Sequence, residues 1–128
     1  MDSNEQLGRR FREAWIAGVR KYFPGEPKAG YVAPWEEMGA WEQRAATTVW
    51  KRTAAFVNAG RPSRRLTPEQ GGRYVSEAWN VEVFRNVENP KPSYVSNWDD
   101  LPEWQRRTDI DIYATIERVI VGSAAEDA

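Results

Sequence analysis

Cysteine and histidine are both absent from the 128-residue sequence. Their absence excludes disulfides, thiolate chemistry and the imidazole ligands or bases on which most zinc sites and many hydrolases depend. Apolar runs long enough to span a membrane are also missing, and the polar, acidic N-terminus differs from the basic and then apolar start of a signal peptide. We therefore expect a soluble, cytoplasmic protein.

Motifs for phosphate binding and catalysis are missing as well. The sequence has neither a Walker loop nor a glycine-rich dinucleotide fingerprint. The acidic pairs Glu36-Glu37 and Asp99-Asp100 fall at predicted helix starts, where acids interact favourably with the helix dipole, and adjacent residues on a helical turn do not share a face. We interpret these pairs as helix-start residues, and we expect no enzyme activity, no metal and no cofactor.

The sequence does contain one stretch that occurs twice. The segment 31–44 recurs sixty-three positions later as 94–107, with the Tyr-Val pair, both tryptophans and the final arginine in corresponding places. Upstream of it, the segment 5–15 recurs as 69–79 at an offset of sixty-four, because one residue is inserted. Such a duplication determines how the whole chain must be interpreted.

We interpret the chain as a single domain, 1–128, that consists of two copies of one unit. The copies span about 5–57 and 69–120, and residues 58–68 link them. Each copy alone would bury too little surface for a stable fold, so we expect the copies to pack on each other. Seven Trp, five Tyr and four Phe supply the core area that the sparse aliphatic residues do not.

The charges are divided unevenly between the copies. The net charge is −1, but copy one has nine Lys or Arg against six acids, and copy two has six against ten. The linker adds Arg61, Arg64 and Arg65. Complementary signs favour docking of the two copies on each other, and they do not provide the basic face of a duplex-DNA binder.

Capping signals and hydrophobic spacing predict four helices. The segments 3–6 and 67–70 each fit a capping box, with Ser or Thr at the N-cap and Gln three residues later. Helical spacing then favours helices over about 4–22, 39–57, 68–84 and 102–121, the last ended by Gly122. We interpret Asp109 and Asp111 as solvated positions of the last helix.

The predicted fold class is mainly α. It consists of two pseudo-symmetric αα-hairpin repeats, four helices in all, with long ordered loops between the helices of each hairpin. These loops contain Pro and Gly, which favour turns and extended backbone, so they also have room for short β segments. A short helical turn is expected at 35–38, at the end of the first loop.

Each copy has the same order of short motifs. A helix bearing Glu-Ala-Trp comes first, then a loop with Pro-Lys-x-x-Tyr-Val-x-x-Trp, an acidic turn, and a second helix. This order resembles the RyR repeat, which occurs in tandem in ryanodine receptors and singly or doubly in bacterial and phage proteins. The family usually has a His three residues before the Trp of its first helix, where this sequence has Arg12 and Ser76. The family's Gly-Trp-x-x-Gly segment is absent.

The resemblance implies a module that senses nucleotides. Tandem RyR repeats can hold an adenine nucleotide between the copies, with its base against the Trp of each first helix, and the matching residues here are Trp15 and Trp79. The basic residue after the loop proline, which would meet phosphates, is Lys28 or Lys91. The implied function is non-catalytic binding of an adenine-containing signal, as a sensor or a sequestering protein.

Four recurring arginines are further candidates for phosphate contact. Arg is suited to this contact because its guanidinium presents a fork of donors. Some of the candidate residues also have a structural interpretation. The two tryptophans can be core residues, and the arginines of the second helices, Arg44 and Arg107, can pair with the acidic residues. The four arginines are Arg9, Arg73, Arg44 and Arg107.

A protein-interaction or accessory structural module without a small-molecule ligand is the alternative function. Such a protein would self-associate or bind a protein partner through an exposed aromatic patch. Nucleic acid is a weaker candidate because the basic linker alone favours it, and no membrane partner is expected.

Overall fold

Four α-helices and four short 3₁₀ turns make up the structure. The computed structural model describes residues 3–60 and 66–127, with side chains up to residue 122. These ranges contain no strand, which confirms the mainly α fold and leaves the described loops without β segments. The helices are α1 (Asn4–Tyr22), α2 (Ala40–Gly60), α3 (Pro68–Asn86) and α4 (Glu103–Asp127), and the turns are Ala29–Val32, Trp35–Glu37, Pro92–Tyr94 and Trp98–Asp100.

Both first helices begin with the predicted capping boxes. The Ser3 hydroxyl accepts a hydrogen bond from the Gln6 amide at 3.2 Å, while the Gln6 side chain accepts one from the Ser3 amide at 2.8 Å. Thr67 and Gln70 repeat the exchange at 3.2 and 2.9 Å. Two otherwise unpaired amides are satisfied at each helix start, which is why the sequence locates these two starts so closely.

The second helices extend beyond their predicted ends. The sequence predicts an end at Gly122, but α4 continues to Asp127, and α2 likewise reaches Gly60. A glycine inside a helix costs only about 1 kcal/mol relative to alanine, so it does not terminate a helix that other residues stabilise. The rest of the linker, 61–65 with its arginines, lies outside the described residues.

The second helices of the two hairpins form the centre of the packing. α1 packs on α2 and α4, α3 packs on α4 and α2, and α2 and α4 also contact each other. Their shared interior contains Val49 and Trp50 from α2 with Ile112 and Ile116 from α4, all within 1% of complete burial. Burying an aliphatic side chain of this size contributes about 1.5–3 kcal/mol. No helix in the described ranges combines the length and the apolar character needed to cross a membrane.

In each copy a tryptophan from the loop packs on a glycine of the first helix. A Cβ atom on Gly72 would lie 2.7 Å from Cη2 of Trp98, and one on Gly8 would lie 2.8 Å from Cζ3 of Trp35. Both indole rings are buried. Any side chain at either glycine would collide with a rigid ring, so these two positions fix the loop of each copy against its first helix.

Candidate ligand-binding site

A cavity of about 490 Å³ lies where the two hairpins meet. All four helices and both inter-helix loops contribute to its lining, and its volume falls in the range of small-molecule sites. Large aromatic side chains dominate this lining. Six of them are Trp15, Tyr31, Trp41, Trp79, Tyr94 and Trp104.

The four tryptophans form two pairs, and each pair joins the two copies. Trp15 meets Trp104 with ring centroids 5.8 Å apart and planes at 62°, while Trp79 meets Trp41 at 6.3 Å and 38°. Each pair therefore combines the first helix of one copy with the second helix of the other. Trp15 and Trp79 line the same cavity, as expected of a shared site, but the described rings include no direct contact between them.

The rings of Trp15 and Trp79 are held differently. The Trp15 indole N–H donates a hydrogen bond of 2.9 Å to the carbonyl oxygen of Tyr31, which ties the first loop to α1. Trp79 stacks on Phe11 with centroids 5.8 Å apart and planes only 9° from parallel. The Trp79 N–H donates to no described residue, so within the described part of the chain this ring is held by packing.

Arg12 is the cation among the described residues that line the cavity. Its guanidinium donates to the carbonyl oxygens of Ala33 at 2.9 Å and Gly30 at 3.0 Å, so it fixes the first loop as well. Burial lowers the pKa of Arg12, although the charge of Glu42 acts in the opposite direction. Arg12 was not among the ligand contacts predicted from the sequence.

Two carboxyl groups also line the cavity, in different environments. Glu42 accepts a hydrogen bond from the Gly39 amide at 3.3 Å and caps the start of α2. Asp109 is only 6% exposed, and burial raises its pKa well above the ordinary value of 3.8. The prediction that Asp109 is solvated is therefore wrong. Asp111 does find a partner, since it accepts a hydrogen bond of 2.8 Å from the Tyr22 hydroxyl.

Asp109 also differs from most of the buried polar side chains in having no partner among the described residues. Thr53 and Thr108 donate to helical carbonyls at 2.8 Å, and Glu82 pairs with an arginine at 3.4 Å. Asp109 and Ser76, in contrast, form no hydrogen bond or ion pair with any described residue, and both line the cavity. Buried polar groups without partners are rare and costly, so these two mark the cavity as a place where something else can bind.

Arg9 and Arg73 lie outside the cavity lining, in ion pairs that recur between the copies. Arg9 Nη1 lies 2.6 Å from Glu36 Oε1, and Arg73 Nη2 lies 3.4 Å from Asp99 Oδ1. The hydrogen bond from Arg9 lowers the pKa of Glu36. Neither acidic turn has a side-chain cap. The first acid of each pair, Glu36 or Asp99, therefore binds an arginine of the first helix, and neither turn shows a side-chain cap.

The two loop lysines lie next to cavity-lining rings. Lys28 Nζ is 5.9 Å from the ring centroid of Tyr31, and Lys91 Nζ is 6.0 Å from that of Tyr94. Neither lysine belongs to the lining itself, whereas both tyrosines do. The lysines are thus adjacent to rings of the cavity wall without lining the cavity themselves.

The arginines of the second helices lie farther from the site. Arg107 forms an ion pair of 2.8 Å with Glu103, one turn earlier in α4, and its guanidinium carbon lies 5.8 Å from the Tyr22 ring. Arg44 is exposed and borders a shallow surface groove with Glu5 and Lys51. The structure does not bring either arginine into the cavity lining, and Arg107 does not pair with the acidic turn as the sequence analysis allowed.

The residues that the structure brings together are thus the two predicted tryptophans, Arg12, and Asp109 and Ser76, which have no partner in the described part of the chain. Within the described part of the chain, no group of three or more acidic side chains is arranged to hold a metal ion. No family model, no curated protein and no solved structure matches this chain.

Proposed function

We propose that this protein binds a small flat ligand in the cavity between its hairpins, and that this ligand is a nucleotide with an adenine-type base. The observation that carries the proposal is the cluster of Trp15, Trp41, Trp79 and Trp104 around one cavity of about 490 Å³. Indole rings favour a planar aromatic guest, because each stacked base contributes roughly 1–3 kcal/mol.

The ligand's polar parts have partners of both signs in or near the cavity. Arg12 retains its positive charge while it donates to two backbone carbonyls, so it is the nearest cation for a phosphate. Lys28 and Lys91 come next, because each lies against a cavity-lining tyrosine. We propose binding without chemical conversion, since a sequence that lacks His and Cys offers few general bases.

The resemblance to tandem RyR repeats supports the same proposal from a different direction. It favours a bacterial or phage protein that senses or sequesters a nucleotide signal in the cytoplasm. The Trp residues that correspond to the family's ligand contacts are Trp15 and Trp79, and both line the cavity.

A thermal-shift panel tests the proposal. The purified chain would be heated with mono-, di- and cyclic nucleotides and with ADP-ribose, while tryptophan emission is recorded in parallel. A ligand present at about 100 times its dissociation constant adds roughly 2.7 kcal/mol of stability, which is several degrees in a domain of this size. We expect such a shift together with a change in emission. No shift with any member of the panel would contradict the proposal.

Replacement of Trp79 then locates the ligand. Trp79→Leu retains an apolar side chain but removes the stacking ring, and it breaks no hydrogen bond to a described residue, whereas a change at Trp15 would also release Tyr31. We expect Trp79→Leu to weaken binding at least tenfold with helical content unchanged. Trp98→Phe is the matched control, because Trp98 is buried outside the cavity lining and its replacement should lower stability but leave affinity intact.

A second candidate function, a protein-interaction module, is favoured by exposed apolar side chains on and after α3. Val81 and Phe84 are 44% and 62% exposed, and Tyr94 is 58% exposed. Such side chains are typical of interaction surfaces when they form a patch. Sedimentation analysis distinguishes the two functions: self-association that Phe84→Ser abolishes, combined with a flat nucleotide panel, would favour the interaction module.

A further inference from the structure

The two copies contribute different polar side chains to the cavity. At corresponding positions, copy one has Ala46 where copy two has Asp109, and Glu42 where copy two has Gln105. The aromatic pairs, in contrast, recur in both copies. The cavity thus has an aromatic lining that both copies share and polar groups that each copy supplies differently.

The fold itself does not need a carboxyl group at the position of Asp109. In copy one the corresponding Ala46 is completely buried and belongs to the hydrophobic core. A carboxyl at this place is desolvated without any compensating partner among the described residues, which destabilises the folded state of the empty protein. A side chain that costs stability and borders a cavity is best explained by contact with a ligand.

We propose that Asp109 selects the ligand of this cavity by accepting a hydrogen bond from an amino group on an aromatic nitrogen heterocycle. This inference rests on the proposed function, because it specifies which edge of a stacked base faces copy two. The buried hydroxyl of Ser76 lines the same cavity and is available as a second contact.

The chemistry of a carboxyl group in a buried site favours such an edge. An ionised carboxyl accepts two N–H donors, as the guanine edge provides. A protonated carboxyl accepts one N–H and donates its own proton to a ring nitrogen, as the adenine and cytosine edges require. The amino group is common to both cases. A ring that carries hydrogen in its place leaves the Asp109 acceptor unpaired, which a buried polar group tolerates poorly.

Matched nucleosides test this selection, with affinity measured by tryptophan emission. Adenosine is compared with purine riboside, and guanosine with inosine, because each pair differs only by an amino group replaced with hydrogen. In the wild-type protein we expect the amino member of at least one pair to bind about tenfold tighter or more. In Asp109→Ala, which installs the residue of copy one, we expect the two members to bind within about twofold of each other.

Two further variants sharpen the result. Asp109→Asn presents the same donor and acceptor as a protonated carboxyl, so it keeps the preference for adenosine and loses that for guanosine. Asp111→Asn is the matched control, because it removes a carboxylate of the same helix outside the cavity lining while it keeps an acceptor for the Tyr22 hydroxyl. We expect Asp111→Asn to retain the wild-type preference. Circular dichroism establishes that each variant is folded.

Three outcomes would overturn the inference. The first is equal affinity of the wild-type protein for both members of each nucleoside pair. The second is a preference for the amino member that persists in Asp109→Ala. In both cases the nucleoside still binds, so the proposed function stands while the role of Asp109 falls. If none of the four nucleosides binds and the wider nucleotide panel is also flat, the proposed function and this inference fail together.

Discussion

The two copies of the repeat are alike where they build the fold and different where they line the cavity. Trp35 packs on Gly8 in copy one as Trp98 packs on Gly72 in copy two. The ion pair of Arg9 with its acidic turn also recurs sixty-four positions later along the first helix. These contacts hold each loop on its own hairpin, and both copies need them for the same reason.

The polar lining of the cavity, in contrast, differs between the two copies. Arg12 of copy one corresponds to Ser76 of copy two, and Ala46 corresponds to Asp109. A symmetric site would suit a symmetric ligand or two copies of one ligand. The differences in polar lining instead favour one ligand in one orientation. A cation lies on the side of copy one, and on the side of copy two lies a carboxyl that pairs with no described residue.

The largest predicted effect concerns the contacts that the copies share. Gly8→Ala and Gly72→Ala each place a Cβ within 3 Å of a buried indole ring, where neither the ring nor the helix can move easily. We expect each variant to lose about 3 kcal/mol of unfolding free energy, the upper part of the range for overpacking. Chemical denaturation monitored by circular dichroism measures this loss.

A third glycine supplies the control for that pair of variants. Gly122 lies in α4, and a Cβ there would meet nothing within 4 Å. Gly122→Ala should therefore raise stability by about 0.5–1 kcal/mol through helix propensity. If Gly8→Ala and Gly72→Ala differed strongly from each other, the copies would not share the same structural constraint.

A smaller predicted effect concerns Asp109, where the copies differ. Asp109→Asn removes an ionisable group that burial disfavours, while it keeps the size of the side chain. At neutral pH we expect the variant to be more stable than the wild-type protein by about 1 kcal/mol or more. Thermal unfolding between pH 3 and pH 8 measures the difference.

The pH dependence has a definite sign. Because burial raises the pKa of Asp109 in the folded state, the folded protein binds a proton that the unfolded chain has already released. Stability relative to the Asn variant is therefore highest below the ordinary pKa of 3.8 and is lost as the pH rises through the raised folded value. A variant that is less stable than the wild-type protein at pH 7 would show instead that Asp109 stabilises the fold.

The sequence predicts the helices well because their ends carry local signals. Two capping boxes fix the starts of α1 and α3, and α1 spans 4–22 as expected. The ends of α2 and α4 carry no comparable local signal, because a glycine alone does not terminate a helix. The rings that contact Trp15 and Trp79 could not be predicted from the sequence, because they depend on the angle at which the hairpins dock. In the structure each of the two contacts a tryptophan of a second helix.

Several cavity-lining residues that were not predicted as ligand contacts are polar residues on helices. Asp109 and Arg12 each look like an ordinary solvated position when they are considered alone. Alignment of the two copies could have drawn attention to them, since Asp109 stands opposite Ala46 and Arg12 stands opposite Ser76. The ion-pair partners of Arg9 and Arg73 could not be predicted from the sequence either, because Glu36 and Asp99 lie far along the chain and only the fold brings them close.

Calorimetric titration with the strongest ligand of the nucleotide panel tests the central claim most directly. Because the cavity lies between the copies and its polar groups differ from one copy to the other, we expect one ligand to bind per chain in a single transition. Two equivalent ligands per chain would contradict the asymmetric site. Unchanged affinity and stoichiometry in Trp79→Leu would contradict the location of the ligand in this cavity.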